Sequence, residues 1–126
     1  MSPLFSNNQA IYLQIADYIA DKILSGEWVA NSRIPSVREL AVNMAVNPNT
    51  VMRTFEHLQL ADIIFNKRGI GYFVSAEATR KIKKDRKKKF MEQVLPEFFR
   101  QLSMLNISFD EIEALYNEQQ NKEEKP

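Results

Sequence analysis

Apolar side chains recur every three or four residues in three stretches of the N-terminal half of the chain, which is the pattern of helices that bury one face. The first stretch has apolar positions from Ile11 to Leu24, with Asn7 or Asn8 as the candidate helix cap. It ends near Gly26, a residue that readily takes the left-handed conformation found after helices. The second and third stretches run from 36 to about 44 and from about 48 to 60. Three helices are therefore predicted, of which the second is short.

Polar residues at the starts of the second and third helices fit helix caps. Ser36 followed by Glu39 forms a capping box, in which each side chain accepts a hydrogen bond from the other residue's backbone N–H. Asn47 precedes Pro48, and proline is favoured at the first position of a helix because the N–H that it lacks would have no partner there. A tight turn at residues 45–47 is thus predicted to join two capped helices.

Two short β-strands are predicted after the third helix. The β-branched and aromatic residues at 63–65 and 72–74 are separated by a segment that contains Gly69 and Gly71. Glycine permits the positive φ angles of a tight connection. The two strands are therefore expected to pair as a hairpin.

Beyond the hairpin the sequence predicts further helices. A long helix is expected from 77 to about 105, with a kink or break about one turn before Pro96, because proline removes a backbone hydrogen bond. Ser108 begins another capping box and hence a last helix, and the polar tail from Asn117 is expected to fray.

Together these elements predict a mainly α fold with a small β-hairpin. The composition changes after Ser75, where apolar and neutral residues give way to a run of positive charges. The chain is accordingly divided into residues 1–75 and a helical region at residues 76–126.

Length and composition restrict the class of protein. The chain has 126 residues, 44% of them hydrophobic, which suits one compact domain or a small domain with an appendage. It contains neither an apolar run long enough to span a bilayer nor the layout of a signal peptide, so a soluble, cytoplasmic protein without membrane contact is expected. The absence of cysteine and the single histidine exclude thiolate sites and most zinc and triad chemistry. No paired carboxylates or glycine-rich phosphate loop indicate catalysis, so no enzyme, metal or cofactor is predicted.

The formal net charge of +1 hides an uneven distribution. Residues 1–75 are neutral, whereas the run from Arg80 to Lys89 has eight basic residues opposed only by Asp85. Acidic residues outnumber basic ones after Phe90. The basic run has two interpretations: a solvated helix surface, which is usual for such runs, or a contact with DNA phosphates beside a binding site.

The order of helix, short helix, tight turn, helix and hairpin is the layout of a winged helix-turn-helix. In this motif the second helix crosses the DNA backbone, the third enters the major groove and the hairpin reaches the neighbouring groove. Helix N-termini attract phosphate, asparagine and arginine pair with adenine and guanine, and cations suit the minor groove. Candidate DNA-binding residues at these places are Arg33, Ser36 and Arg38 at the second helix, Asn47, Asn49, Thr50 and Arg53 on the third, and Lys67, Arg68 and Gly69 in the hairpin.

Several of these residues also have a purely structural interpretation. Ser36 would be retained as a cap in any helical protein, and Asn47 fits a cap better than a base contact because its side chain is occupied by the helix that it begins. Arg53, taken by itself, would more often be a solvated residue on a helix surface.

Five segments, at residues 11–15, 25–27, 33–41, 46–51 and 67–74, resemble in their order and spacing the GntR family of bacterial transcription regulators. The resemblance implies a winged helix-turn-helix fold, and it assigns DNA contacts to all of the candidates above except Asn47. The short helical C-terminal part is similar to the YtrA-type branch of the family. Members of that branch dimerise through this part and often repress neighbouring transporter genes.

The chain departs from the family pattern at three positions. Asn31, or a neighbour, and Asp62 stand where the family usually has glycine, and both residue types tolerate the left-handed conformation better than most. Pro48 stands where many members have arginine, which removes one DNA contact.

Apolar and aromatic residues of the C-terminal region are expected to form a homodimer interface rather than a ligand pocket, because two helices can hardly enclose a cavity. The candidates are Met91, Val94, Leu95, Phe98, Leu102, Leu105, Phe109, Ile112, Leu115 and Tyr116. The overall prediction is a homodimeric regulator, a repressor, that binds double-stranded DNA at an inverted repeat, and no small-molecule effector is identified. The alternative is a winged-helix module for protein interaction that lacks specific DNA binding, which the neutral charge of residues 1–75 favours.

Overall fold

A computed structural model describes residues 9–124 of the chain, so the candidate caps Asn7 and Asn8 of the first helix lie outside the described residues. Its elements are α1 (Ile11–Leu24), α2 (Val37–Met44), α3 (Pro48–Leu60), β1 (Ile64–Lys67), β2 (Gly71–Val74), α4 (Ala78–Lys89), a π-helical turn (Phe90–Val94), α5 (Leu95–Met104) and α6 (Phe109–Glu124). The predicted mainly α fold with a small β-hairpin is confirmed. Within the described residues, no helix is both long and apolar enough to cross a membrane.

The hydrophobic core of the N-terminal part lies between α1 and α3, closed by α2, the hairpin and the start of α4. Ile15 and Ile19 of α1 and Phe55 of α3 are fully buried in it. The edge of Phe55 meets the ring of Tyr72 in β2, with the ring centroids 4.7 Å apart. This packing of helices against the hairpin fixes the position of α3, whose opposite side is exposed.

Two caps define the helix-turn-helix. Ser36 Oγ accepts the N–H of Glu39 at 3.1 Å and a carboxylate oxygen of Glu39 accepts the N–H of Ser36 at 3.2 Å, so the capping box is present. Asn47 caps α3, and Pro48 occupies its first position. Between the helices, Ala45 turns the chain in the left-handed conformation with φ of 55°.

The hairpin pairs β1 with β2 in antiparallel register, from Ile64 opposite Val74 to Lys67 opposite Gly71. The connector before α2 lies along the other edge of β2, which the sequence did not predict. Ser32 O accepts the N–H of Val74 at 3.0 Å, and the N–H of Ile34 donates to a backbone oxygen of β2 at 2.9 Å. The connector and the hairpin are therefore held together as a small wing.

The first compact unit extends to Asp85, ten residues beyond the boundary predicted at residue 75. The reason is that Ala78 and Ile82 of α4 are buried in the core of this unit. Lys81 adds an ion pair with Asp62, 3.6 Å between Nζ and Oδ2. The beginning of α4 thus belongs to the N-terminal unit.

The second unit begins at Arg86 and contains the π-helical turn, α5 and α6. The break predicted about one turn before Pro96 is present as the π-helical turn Phe90–Val94. The tail from Asn117, which is expected to fray, continues α6 as far as Glu124, and Lys122 forms an ion pair with Glu118 one turn earlier. Within residues 86–123 no side chain is buried.

Four described residues other than glycine have positive φ between 55° and 65°, and all lie in the connections between elements. They are Asn31, Ala45, Asp62 and Asn106. In this conformation Cβ crowds the following carbonyl oxygen, which costs roughly 1–2 kcal/mol for most side chains and less for asparagine and aspartate.

Candidate nucleic-acid interface

The N-terminus of α2 combines a cap with exposed positive charge. The pKa of the Glu39 carboxylate is lowered from its ordinary value. The main cause is the hydrogen bond that the carboxylate accepts from the backbone N–H of Ser36, followed by its hydrogen bond with the Ser36 side chain. The positive charge of Arg33 has a smaller effect in the same direction. Ser36 Oγ accepts the cap hydrogen bond with a lone pair, and the Glu39 carboxylate and a phosphate oxygen compete for its single O–H donor. Arg38, on the first turn of α2, is exposed. This end of α2 therefore offers a hydroxyl, a helix dipole and a guanidinium to an anion.

Arg33 lies closer to the hairpin than its position in the sequence suggests. A Cβ at Gly71 would lie 2.9 Å from Arg33 Nε, so the guanidinium side chain occupies the space that the missing side chain leaves. Arg33 also pairs through its backbone with Phe73. An exposed cation is thus held where the start of α2 meets the hairpin.

The N-terminal turn of α3 presents the predicted base-reading side chains. Asn47 Oδ1 accepts the N–H of Asn49 at 2.8 Å, which confirms its role as a cap. Asn49 and Arg53 are exposed and Thr50 is half-buried. These last three residues line one side of an open cleft of about 410 Å³.

The other side of this cleft comes from Ala10, Ile11 and Tyr12 at the start of α1. Arg53 Cζ lies 4.0 Å from the centroid of the Tyr12 ring, in cation–π contact. Tyr12 is not among the candidates predicted from the sequence. Its contact with Arg53 joins two helices that are distant in sequence, and neither motif spacing nor periodicity reports such a contact.

In the hairpin of the wing, a lysine side chain lies against stacked aromatic rings. The rings of Phe65 and Phe73 stack with centroids 5.7 Å apart, and Lys67 Nζ lies 4.4 Å from the centroid of Phe73. Arg68 and Gly69 at the tip are exposed, and Gly69 has φ of 81°, which favours glycine. The ammonium of Lys67 is thus supported on the strands, whereas Arg68 projects from the tip beside a backbone without a side chain.

All ten predicted DNA-binding residues lie on the surface of the first compact unit. Eight are exposed, and Ser36 and Thr50 are half-buried. No cluster of three acidic or histidine side chains that could hold a metal ion occurs among residues 9–124. The chemistry available at this surface is hydrogen bonding and positive charge.

The sequence of this unit decides the family. Residues 11–74 match the model of the bacterial regulatory proteins of the gntR family. The chain belongs to the GntR family. The predicted winged helix-turn-helix and its role in DNA-binding transcription regulation are thereby confirmed.

Three GntR relatives show how far the similarity extends. The helix-turn-helix-type transcriptional regulator YhcF of Bacillus subtilis, itself uncharacterized, is 35% identical over 112 residues, which cover 89% of this chain and 91% of YhcF. The transcriptional repressor YtrA of the same bacterium is 38% identical over 68 residues, 54% of this chain and 52% of YtrA. A crystal structure of a GntR-family regulator from Bacteroides thetaiotaomicron is 51% identical, covers 90% of this chain and 99% of that one, and superposes with a TM-score of 0.79.

These relatives are transcription regulators, which confirms the prediction that the chain is a regulator and not an enzyme. The similarity to YtrA confirms the resemblance to YtrA-type GntR regulators. Asn31 and Asp62, which replace glycines usual in the family, have φ of 65° and 58°, so the left-handed conformation is retained at both positions.

The predicted dimer residues lie in the second unit with much of their surface exposed. Met91, Val94, Leu105, Phe109, Leu115 and Tyr116 are exposed, and Leu95, Phe98, Leu102 and Ile112 are half-buried. Phe90, Phe99 and Met104, which are not among these ten candidates, are also exposed.

Proposed function

We propose that this GntR regulator is a homodimeric repressor that binds an inverted-repeat operator. The observation that carries the DNA-reading part is the arrangement of the first unit, where the exposed starts of α2 and α3 and the wing all present polar or cationic groups. In the proposed complex α3 enters the major groove and the N-terminus of α2 binds a phosphate. The wing then reaches the adjacent minor groove.

The individual contacts follow from side-chain chemistry. Asn49 and Arg53 are placed to pair with adenine and guanine edges, and each good pair discriminates by about 1–3 kcal/mol. Arg38 and Ser36 contact a phosphate, which positions the protein without reading sequence. Lys67 and Arg68 meet the negative potential of the minor groove beside Gly69.

The homodimer is supported by the state of the second unit. Its exposed aromatic and aliphatic side chains include Phe109, Leu115 and Tyr116, which are 64%, 61% and 62% accessible. Full burial of each such side chain contributes about 1.5–3 kcal/mol, so a few of them across a two-fold axis suffice to hold two chains together.

A second copy of this chain suits the surface in charge as well. The unit begins with the basic residues 86–89, whereas α6 is rich in glutamate. Two chains related by a two-fold axis can place the acidic helix of one near the basic segment of the other. Such a dimer presents two recognition helices about one DNA turn apart, which reads an inverted repeat.

Repression follows from occupancy. A dimer bound across a promoter excludes RNA polymerase. The relative YtrA is a transcriptional repressor, which favours repression over activation.

The first test selects DNA from a randomised duplex library with the purified protein and measures the affinity of variants for the recovered site. Arg53→Ala is expected to weaken binding by about 5- to 150-fold and to relax the preference at one base pair, because it removes a base contact. Arg38→Ala is expected to weaken binding to all sequences alike.

Arg100→Ala is the matched control, since it removes one positive charge that is paired with Glu97 in the second unit. It should bind as the wild type does. Recovery of no preferred sequence, or unchanged affinity in both test variants, would contradict the proposal. Transcription in vitro from a promoter that carries the recovered site then measures repression.

A further inference from the structure

The guanidinium of Arg53 is held against an aromatic ring from another helix. Arg53 Cζ lies 4.0 Å from the centroid of Tyr12, about the distance at which carbon atoms are in van der Waals contact. The guanidinium carbon therefore lies over the face of the ring. The guanidinium has five N–H donors in a fixed fork, and Arg53 is exposed, so donors remain available to a base.

Tyr12 is itself fixed from two sides. Its backbone oxygen accepts the hydroxyl of Thr54 at 2.7 Å, and Thr54 is fully buried. The edge of His57 meets its ring at a centroid distance of 6.0 Å and an angle of 80°. Tyr12 is half-buried, so the ring is packed rather than free to rotate in solvent.

An arginine on an exposed helix surface normally loses considerable rotamer freedom when it forms a bidentate pair with guanine. A ring that already holds the side chain in one position removes part of that loss before DNA is present. The cleft between the start of α1 and α3 leaves the outward edge of the guanidinium accessible, because Arg53 remains exposed.

We propose that Tyr12 is a positioning residue for sequence recognition, which holds Arg53 with its donor edge toward the base that it reads. This inference rests on the proposed role of Arg53 in base reading and adds that α1 takes part in specificity without contacting a base. Tyr12 then affects discrimination at one base pair and leaves the phosphate contacts unchanged.

The experiment compares Tyr12→Leu with Tyr12→Phe on the duplex recovered by selection and on duplexes altered at each base pair. Leucine removes the ring, whereas phenylalanine keeps the ring face that contacts the cation. Tyr12→Leu is expected to reduce discrimination about three- to tenfold at the base pair that Arg53→Ala identifies, and Tyr12→Phe should retain it.

Tyr18→Leu is the matched control. It is the same substitution on the same helix, at a tyrosine that packs against the core and contacts Lys22 instead of Arg53. A general loss of helix packing would affect both leucine variants and all base pairs, whereas the proposed role affects one variant at one base pair.

A measurement on the free protein keeps the inference testable if Tyr12→Leu fails to fold. In the wild type and in Tyr12→Phe, the NMR signals of the Arg53 side chain should be shifted upfield by the ring current, relative to those of Arg38. Absence of that shift in the wild type would overturn the inference directly.

The outcomes separate this inference from the function on which it rests. If Arg53→Ala loses discrimination and Tyr12→Leu keeps it, the positioning role is wrong and the proposed DNA recognition stands. If Arg53→Ala discriminates as the wild type does, both the role of Arg53 and that of Tyr12 are overturned. Uniform weakening of all duplexes by Tyr12→Leu would also overturn the positioning role.

Discussion

Gly71 is the residue at which a missing side chain has two separate effects. Its φ of 143° disfavours any residue with a Cβ, and a Cβ there would lie 2.9 Å from Arg33 Nε. Gly26 also has a positive φ, of 83°, but nothing lies within 4 Å of the position that its Cβ would take. Alanine substitutions at Gly71 and Gly26 therefore both strain the backbone, but only the one at Gly71 also displaces Arg33.

Gly71→Ala is expected to lower both stability and DNA affinity, because it strains the backbone and moves a cation of the interface. Gly26→Ala should lower stability by about 1–2 kcal/mol and leave the affinity of the folded protein unchanged. Thermal unfolding and DNA titration measure the two quantities. Equal affinity of the two folded variants would show that the position of Arg33 is unimportant.

Ser36 caps α2 and is also a candidate for a phosphate contact, and substitutions can test these two roles separately. Aspartate is as good an N-cap as serine, whereas alanine loses about 0.5–2 kcal/mol. Ser36→Asp should therefore keep the stability of the wild type and bind DNA much more weakly, because a carboxylate repels phosphate. Ser36→Thr keeps the hydroxyl and serves as the control in the same unfolding and binding measurements. Unchanged DNA binding by Ser36→Asp would place the phosphate away from this end of α2.

At the scale of elements, α4 has two different sides. Ala78 and Ile82 are buried in the first unit, whereas Lys83 and Lys84 are exposed. Lysines continue along the exposed surface to Lys88. Since α4 directly follows the wing, its exposed lysines are candidates to contact the phosphates that flank the operator.

Replacing Lys83, Lys84, Lys87 and Lys88 by alanine is expected to flatten the salt dependence of DNA binding. Each phosphate contact contributes about 0.9 to the slope of log K against log salt concentration. The matched variant with arginine at all four positions keeps the charge and should keep the slope. An unchanged slope in the alanine variant would assign the lysines to a solvated surface.

At the scale of the whole molecule, the two units differ in how they are stabilised. The first has a buried core of its own, whereas the second has no buried side chain within residues 86–123. The exposed apolar surface of the second unit fits the proposed homodimer interface. DNA binding and dimerisation are thus proposed to reside in different parts of the chain.

The variant with both Phe109→Glu and Leu115→Glu is expected to sediment as a monomer at micromolar concentration, because two charges enter the proposed interface. It should also bind the full inverted repeat less tightly than the wild type. Leu60→Glu introduces the same charge at an 88% exposed position of the first unit and should remain a dimer. A wild-type protein that sediments as a stable monomer would contradict the homodimer.

The sequence predicted the helices, caps and hairpin of the first unit because their signals are local. The capping box at Ser36 and the cap at Asn47 depend on residues within one turn. Contacts between distant segments were not predictable in this way. The position of Arg33 over Gly71 and the stacking of Arg53 on Tyr12 arise only when the core brings separate elements together.

Differences between expectation and structure in the second part of the chain have the same origin. The polar composition after Asn117 predicts fraying, whereas α6 continues to Glu124 with contacts between side chains one turn apart. The boundary after Ser75 followed the change in charge, whereas the core of the first unit includes the start of α4. Composition describes the solvent-facing side of a helix and does not report its buried side.

The four left-handed residues bear on how this regulator can evolve. At each of them a change to glycine relieves backbone strain and adds flexibility to the unfolded chain, with a net gain of a few tenths to about 1 kcal/mol where strain predominates. A protein that lies just above its stability threshold can use such a gain to tolerate a destabilising change elsewhere. Ala45, between the two helices that are proposed to contact DNA, is the most strained residue type of the four. A lineage that acquires glycine there could explore new side chains on α3, and therefore new operators, without losing the fold.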